Sequence, residues 1–242
     1  MSLFFVHSNA VQYSVFASIR CTMLLLLVRH GETAYNAVGR YQGHVQIELN
    51  ELGQFQAVRV CQRLAQRSIQ AIYSSDLVRC LQTIQPLITA VGLPLTVDQR
   101  LREIDVGLWE HLTIPEISAT YPGNYAAYKQ NPGATVHVGG ESYTHLQQRA
   151  VAAIQDMIGL HGPDDTVVVC THGGTIRAIA CWLLALDVNH YNKMWIDNCA
   201  LTTLRIKDGH IRLVSLNDNA HAEVAFVAPG RDVPPTAQGT IA

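Results

Sequence analysis

No run of apolar residues in this chain comes close to the roughly 20 that span a bilayer, so a membrane protein is not expected. Charge is scarce as well: charged residues make up 15 % of the 242 residues and the net charge is -2. With no basic stripe and no interleaving of basic and aromatic residues, nothing offers nucleic acid an electrostatic footprint. The six cysteines, Cys21, Cys61, Cys80, Cys170, Cys181 and Cys199, form no C-x-x-C pair. Neither H-E-x-x-H nor a Cys/His cluster is present, so no metal and no cofactor is expected. Several of the cysteines sit in apolar periodic segments, which points to reduced packing residues in a cytoplasmic protein. The first 22 residues carry one basic residue, Arg20, and lack the basic n-region of a signal peptide. Internal repeats are absent.

What is present is an alternation of short apolar runs and helical periods. At 48 % hydrophobic residues the chain is long and apolar enough for one large α/β domain. Leu24–Val28, Ile69–Tyr73 and Val167–Cys170 read as buried strands. Leu52, Phe55, Val58, Cys61 and Leu64 repeat at helical spacing behind an N-cap at Asn50. Leu77, Leu81, Ile84, Ile88 and Val91 form a second stripe that ends at Gly92 and Pro94. A third helix spans Ser142 to Leu160 with Leu146, Ala150, Ala153 and Met157 on one face, and a fourth spans Thr175–Leu186. Cys199–Ile206 and Ile211–Leu216 read as a hairpin around Asp208-Gly209. His111 to Gly140 reads as an aromatic, loop-rich stretch. Strand–helix alternation predicts a three-layer α/β/α fold on a mostly parallel central sheet.

The chemistry gathers at strand ends. Arg29-His30-Gly31-Glu32-Thr33 follows the first strand, Ser74-Ser75-Asp76 the second, and Thr171-His172-Gly173 the third. Parallel strands bring their C-terminal ends to one edge, where open α/β sheets bind anionic ligands. Histidine serves there as nucleophile or proton carrier, and arginine offers a fork matched to phosphate oxygens. Arg79, one turn beyond Asp76, adds a second guanidinium, and Glu103 is available from a following segment. The residues therefore read as a phosphate site with a histidine at its centre. Plainer readings compete singly: Arg79 paired with Asp76 across one turn, Glu103 as a solvated charge beside Arg100 and Arg102, His172 as a core histidine. A cysteine nucleophile does not fit. Cys170 to Arg177 has the wrong spacing, and Cys61 to Arg67 lies in a helical stripe without a glycine loop.

Taken together in order, these segments resemble the histidine phosphatase superfamily with its phosphoglycerate mutase-like fold. Arg29-His30-Gly31-Glu32-Thr33 with Asn36 and Gly39-Arg40-Tyr41-Gln42-Gly43 is similar to its opening motif. Ser74-Ser75-Asp76-Leu77 with Arg79 and Thr83, Leu101-Arg102-Glu103 with Gly107, Trp109 and Glu110, and Thr171-His172-Gly173-Gly174 resemble the later ones. The resemblance implies His30 as nucleophile and Glu103 as proton donor and acceptor. It implies a phosphate-binding set of Arg29, Arg79, His172, Asn36, Gln42, Thr33 and the Gly174 amide, without a metal. The substrate it implies is a small phosphomonoester.

Residues 23–220 are assigned to the catalytic domain, with 108–140 as a lid and substrate segment. Residues 1–22 are set apart as an N-terminal extension, an apolar arm open to a homodimer contact, and 221–242 as a tail. Between Gly107 and Gly140 the only Lys or Arg is Lys129, so the lid lacks the basic residues with which related mutases hold a bisphosphate. That favours hydrolysis over phosphoglycerate mutase-like transfer and over a phospho-ligand-binding regulatory module with low turnover. Two departures from the family pattern fall on the pocket wall: Gln46 and Glu48-Leu49 stand where an Asp and a Pro-Leu pair are usual, and His111 stands where Gly is common.

Overall fold

Leu25, Leu26, Leu27 and Val28 are all buried, and they alternate between two cores. Leu25 and Leu27 pack into one face of the sheet, Leu26 and Val28 into the other. A strand apolar on both sides is what a sheet covered by helices on both faces requires. The computed structural model describes residues 22–222; the extension through residue 21 and the tail from residue 223 lie outside the described residues.

The elements run β1 (Met23–Arg29), α1 (Ala34–Ala37), α2 (Glu51–Leu64), β2 (Ala71–Ser74), α3 (Val78–Val91), β3 (Leu95–Val97), α4 (Ile114–Thr120), α5 (Pro122–Gln130), α6 (Tyr143–Leu160), β4 (Thr166–Thr171), α7 (Gly173–Leu183), β5 (Leu201–Lys207) and β6 (His210–Asp218). They build a six-stranded sheet of order β3-β2-β4-β1-β5-β6. β1, β2, β3 and β4 pair in parallel, with Leu26 opposite Val168, while β5 runs antiparallel to β1 and to β6. The expected three-layer, mostly parallel architecture is the one found. Val60, Leu64, Ile84 and Leu87 from α2 and α3 cover one face. Ala150, Ile154, Met157, Ile176 and Ile179 from α6 and α7 cover the other. Each of the larger of these side chains, Val, Leu, Ile or Met, contributes about 1.5–3 kcal/mol by leaving water.

Several boundaries follow local chemistry. Asn50 caps α2 by accepting from the Gly53 amide at 2.8 Å, and Gly92 ends α3 at φ 69°. The hairpin turns on Asp208 and Gly209, both left-handed. The stripe expected on α2 is shifted: Val58 is 44 % exposed, while Gly53, Ala57 and Val60 are buried. Small residues face inward there because the helix backbone comes close to the loop after β1. The stretch from His111 to Gly140 is loop and turn over 131–140, but its first part is more helical than expected. It carries α4, which opens with a Thr113–Glu116 capping box, and α5, which starts at Pro122. Their aromatics close a third core around Trp109, with Tyr128, Tyr143 and Leu146 packed against Ala178 and Cys181 of α7. No helix among the described residues is long and apolar enough to cross a membrane.

Candidate active site

β1, β2 and β4 end side by side. The His30 amide donates to the Thr171 carbonyl at 2.9 Å and the Ser75 amide to the Cys170 carbonyl at 3.0 Å, so the sheet's hydrogen bonds hold the three polar ends in register. Above them opens a cavity of about 430 Å³ whose wall includes Arg29, His30, Asn36, Gln42, Arg79 and Glu103.

His30 is buried, and its Nδ1 lies 2.7 Å from the Gly31 carbonyl. A carbonyl can only accept, so Nδ1 holds the proton and the lone pair sits on Nε2. Burial, reinforced by the charges of Arg79 and Arg29, holds the His30 pKa well below 6.5. The ring is therefore held neutral, with its lone pair on Nε2. Its loop is fixed by the Gly31 amide donating to Thr83 Oγ1 at 2.9 Å and by Asn198 Nδ2 donating to the His30 carbonyl at 2.9 Å.

Two guanidiniums flank it, neither bonded to a carboxylate. Arg29 donates to the Ile196 carbonyl at 2.6 Å, and its buried Nε has no partner among the described residues. Arg79 is fully buried; it donates to the carbonyls of Val45 at 2.9 Å and Gly43 at 2.8 Å. The pairing of Arg79 with Asp76 does not occur, because Asp76 is taken by Arg102 through both oxygens. Desolvation lowers the pKa of both Arg29 and Arg79, yet arginine stays charged from so high a starting value.

Three of the expected phosphate ligands make contacts with other protein groups in the structure. His172 is outside the cavity wall. Its Nδ1 accepts from Arg79 Nε at 3.3 Å and its Nε2 lies 2.9 Å from Ser75 Oγ, with its ring 5.2 Å from that of His30. It braces Arg79 from behind, and burial keeps its pKa well below 6.5. Thr33 is buried and caps α1; its hydroxyl lies 3.0 Å from Gln42 Oε1 and 3.1 Å from Asn36 Oδ1. The Thr33 amide donates to Asn36 Oδ1 at 3.2 Å, so the single hydroxyl proton serves Gln42 Oε1; the oxygen ends of two amides that line the cavity are thereby engaged, which leaves their NH2 ends as donors. The Gly174 amide is not free for phosphate, because it donates to Glu103 Oε2 at 3.0 Å.

Glu103 does face the cavity rather than solvent. Oε1 accepts from the Ile104 amide at 2.9 Å, and the neighbouring arginines are engaged elsewhere, Arg100 with Asp98 and Asp156, Arg102 with Asp76. Its carbonyl accepts from His44 Nε2 at 2.8 Å and from Arg149 at 2.7 Å. Arg149 also donates to the carbonyls of Arg100 and Arg102 and pairs with Glu141. These supports, with Asn198 and Arg177, carry no signal in the sequence because they act through backbone carbonyls or stand apart from the motifs. His44 is such a support, while His111 binds the Tyr35 hydroxyl at 2.7 Å and His137 packs on Trp109 at 4.6 Å. Tyr128 lines the cavity, whereas Tyr121 and Tyr125 pack in the lid core.

The residues that depart from the family pattern, Gln46, Glu48, Leu49 and His111, lie outside the cavity wall, and Gln46 and His111 are both accommodated locally. Gln46 Oε1 accepts from the Val78 amide at 2.8 Å and so caps α3, whose Leu77 has no capping side chain. His111 adopts φ 67°, a left-handed conformation that glycine takes without strain. Among the described residues no group of three or more His, Cys, Asp or Glu is placed to hold a metal ion.

This arrangement has counterparts of known activity. The chain is 31 % identical over 203 residues, 84 % of its length and 96 % of the relative's, to phosphoserine phosphatase 1 of Hydrogenobacter thermophilus. It is 37 % identical over 173 residues, 69 % of its length and 76 % of the relative's, to glucosyl-3-phosphoglycerate phosphatase of Mycolicibacterium vanbaalenii. Among solved structures, a mutant phosphoserine phosphatase of Entamoeba histolytica in complex with phosphoserine superposes with a TM-score of 0.74 at 30 % identity, covering 82 % of this chain and 98 % of that one. The mycobacterial glucosyl-3-phosphoglycerate phosphatase complexed with VO3 gives a TM-score of 0.72 at 34 % identity, covering 81 % and 99 %. The profile of the histidine phosphatase superfamily (branch 1) matches residues 25–219, a span that takes in all four strand-end and loop motifs, and the chain belongs to that family.

Proposed function

We propose that this protein is a cytoplasmic phosphomonoesterase that hydrolyses small phosphorylated metabolites through a phosphohistidine on His30. One observation carries the reading: the Nε2 lone pair of a neutral, loop-locked His30 stands beside two guanidiniums that no carboxylate neutralises. Arg29, Arg79 and the amides of Asn36 and Gln42 hold the phosphoryl oxygens and match charge as it spreads in the transition state. His30 Nε2 forms a bond to phosphorus while the ester P–O bond breaks, and Glu103 gives its proton to the departing alkoxide. Water then attacks the phosphohistidine. Glu103 takes the proton of that water, the P–N bond breaks, and inorganic phosphate leaves.

Positive charge is already supplied by the arginines, so the reaction is expected to run without a metal ion. The five cysteines among the described residues are buried free thiols, which suits a reducing compartment. The test is hydrolysis of p-nitrophenyl phosphate in EDTA by the protein and by His30→Ala. Release that survives the chelator and disappears in the variant supports the reading. Equal release from both proteins overturns it. Dependence of turnover on a bisphosphate primer would reveal a mutase instead.

A further inference from the structure

Arg177 lies on α7, one turn beyond Gly173 and Gly174, and lines the same cavity as His30. Its Nε is buried with no partner, and among the described residues its guanidinium makes no hydrogen bond and no ion pair. It is near enough to Arg29 to add to the lowering of that residue's pKa. An unpaired, partly desolvated cation beside a second cation is unfavourable unless an anion joins it.

Counting the charges on the wall shows which anion is missing. The transferring phosphoryl group is met by Arg29 and Arg79. Arg40 is the remaining arginine there, and it is held by both oxygens of Glu116 at 2.8 and 3.3 Å. The one carboxylate on the wall, Glu103, already accepts two backbone amides and works as the acid. The same wall also carries neutral groups, among them Tyr128, Tyr143, Tyr191 and Trp195. One positive charge, that of Arg177, is therefore left over inside the pocket, beyond the two that Arg29 and Arg79 set against the phosphoryl group.

We infer that Arg177 binds a second anionic group of the substrate, a carboxylate carried on the same small molecule as the phosphate. This rests on the phosphatase reading and narrows it to carboxylated phosphomonoesters. A carboxylate fits better than a second phosphate because a lone guanidinium balances one charge and its planar fork pairs with two coplanar oxygens. A second phosphate dianion would need another free cation, and among the described residues the wall has none.

The experiment compares D-3-phosphoglycerate with sn-glycerol 3-phosphate, which differ in a carboxylate against a hydroxymethyl group. Both are tested as substrates and as competitors of p-nitrophenyl phosphate, on the parent protein, Arg177→Lys and Arg177→Met. The parent should prefer the carboxylated compound by about 10- to 100-fold, the range of one charge-assisted pair. Arg177→Met should bring that ratio close to one, and Arg177→Lys should restore part of it. The inference is overturned if the parent shows no preference, or if Arg177→Met weakens both compounds by the same factor. Failure of the phosphatase reading is seen separately, as absence of p-nitrophenyl phosphate hydrolysis. Calorimetric binding of the same pair to His30→Ala then still reads the carboxylate preference without turnover, and circular dichroism confirms that each variant is folded.

Discussion

The Gly174 amide, at the start of α7, is spent on Glu103 rather than on a phosphate: the two are joined at 3.0 Å. The relationship is tight on both sides, because a Cβ on Gly174 would lie 2.3 Å from Glu103 Oε1. A helix N-terminus that could bind an anion of the substrate binds instead the carboxylate that we propose moves protons. The Glu103 carboxylate is thereby fixed in the wall of the cavity that His30 lines, and in the proposed reaction the phosphoryl group depends on side chains for its contacts.

Replacing Glu103 with Gln should separate the two chemical steps. General acid catalysis is worth about 10²–10⁴-fold, and the need for it grows with the basicity of the leaving group. Glu103→Gln should lower kcat on an alkyl phosphate by about that range and on p-nitrophenyl phosphate by much less in the first turnover. Rapid-quench measurement of nitrophenol release checks this. An equal loss with both substrates in the first turnover would remove Glu103 from the acid role.

Gly53→Ala should loosen the nucleophile loop from outside the cavity. A Cβ there would meet the Glu32 carbonyl oxygen at 2.0 Å, and one on Gly31 would meet the Gly53 carbonyl oxygen at 2.6 Å. Both contacts are backbone against backbone, which cannot give way as a side chain can. The expected cost is about 1–3 kcal/mol of stability, typical of forced overpacking, together with reduced kcat because His30 lies next to the displaced loop. Urea unfolding and steady-state kinetics on the same preparation test it, and an Ala variant of undiminished stability would contradict the close approach.

How much of this the sequence showed depends on the kind of interaction. Strand cores such as Leu25–Val28 and capped helices such as Asn50–Leu64 were legible because burial and capping leave periodic or local signals. His30, Arg29, Arg79 and Glu103 were legible because their motifs stand at strand ends and loops. The protein contacts of His172, Thr33 and Gly174 were not, since which partner a ring nitrogen or an amide finds is decided by packing across the sheet. The inward face of α2 was misplaced for the same reason: Gly53 and Ala57 are small so that the α2 backbone can approach the loop after β1, and hydropathy alone ranks Phe55 and Val58 above them. The lid was taken for loop because α4 and α5 are short and are held by aromatic contacts with Trp109 rather than by helical periodicity.

Arg149 should prove to be a positioning residue for the acid. It ties the carbonyls of Arg100, Arg102 and Glu103 to Glu141, and Glu141 in turn accepts from the Asp105 amide at 2.9 Å. Arg149→Met strands those carbonyls and leaves Glu141 without its cation. The expected result is a fall in kcat of about tenfold or more with KM little changed, since the phosphoryl clamp is untouched; a displaced group of this kind can cost up to about 10²-fold. Arg149→Lys should recover part of kcat. A change confined to thermal stability would make the residue structural only.

The buried histidines should make the fold acid-sensitive in a defined window. His30 and His172 have pKa values held well below 6.5 by burial and by Arg79, and His137 and His221 are lowered mainly by burial. In the unfolded chain each takes a proton as pH falls through about 6.5, whereas in the fold each stays neutral until the pH is lower. The unfolded state then binds more protons, so stability is fully present above about pH 6.5 and is lost below it, by up to about 1.4 kcal/mol per pH unit for each such residue. Asp76 and Asp218 cannot mask this, because their hydrogen bonds with Arg102 and Arg63 lower their pKa values below 3.8. Urea midpoints at pH 7.5 and 5.5 should differ markedly, and His172→Asn should show a smaller difference although it is less stable at both. A stability that stays flat between the two values would mean that these rings are protonated inside the fold, and His30 could then not act as a neutral nucleophile.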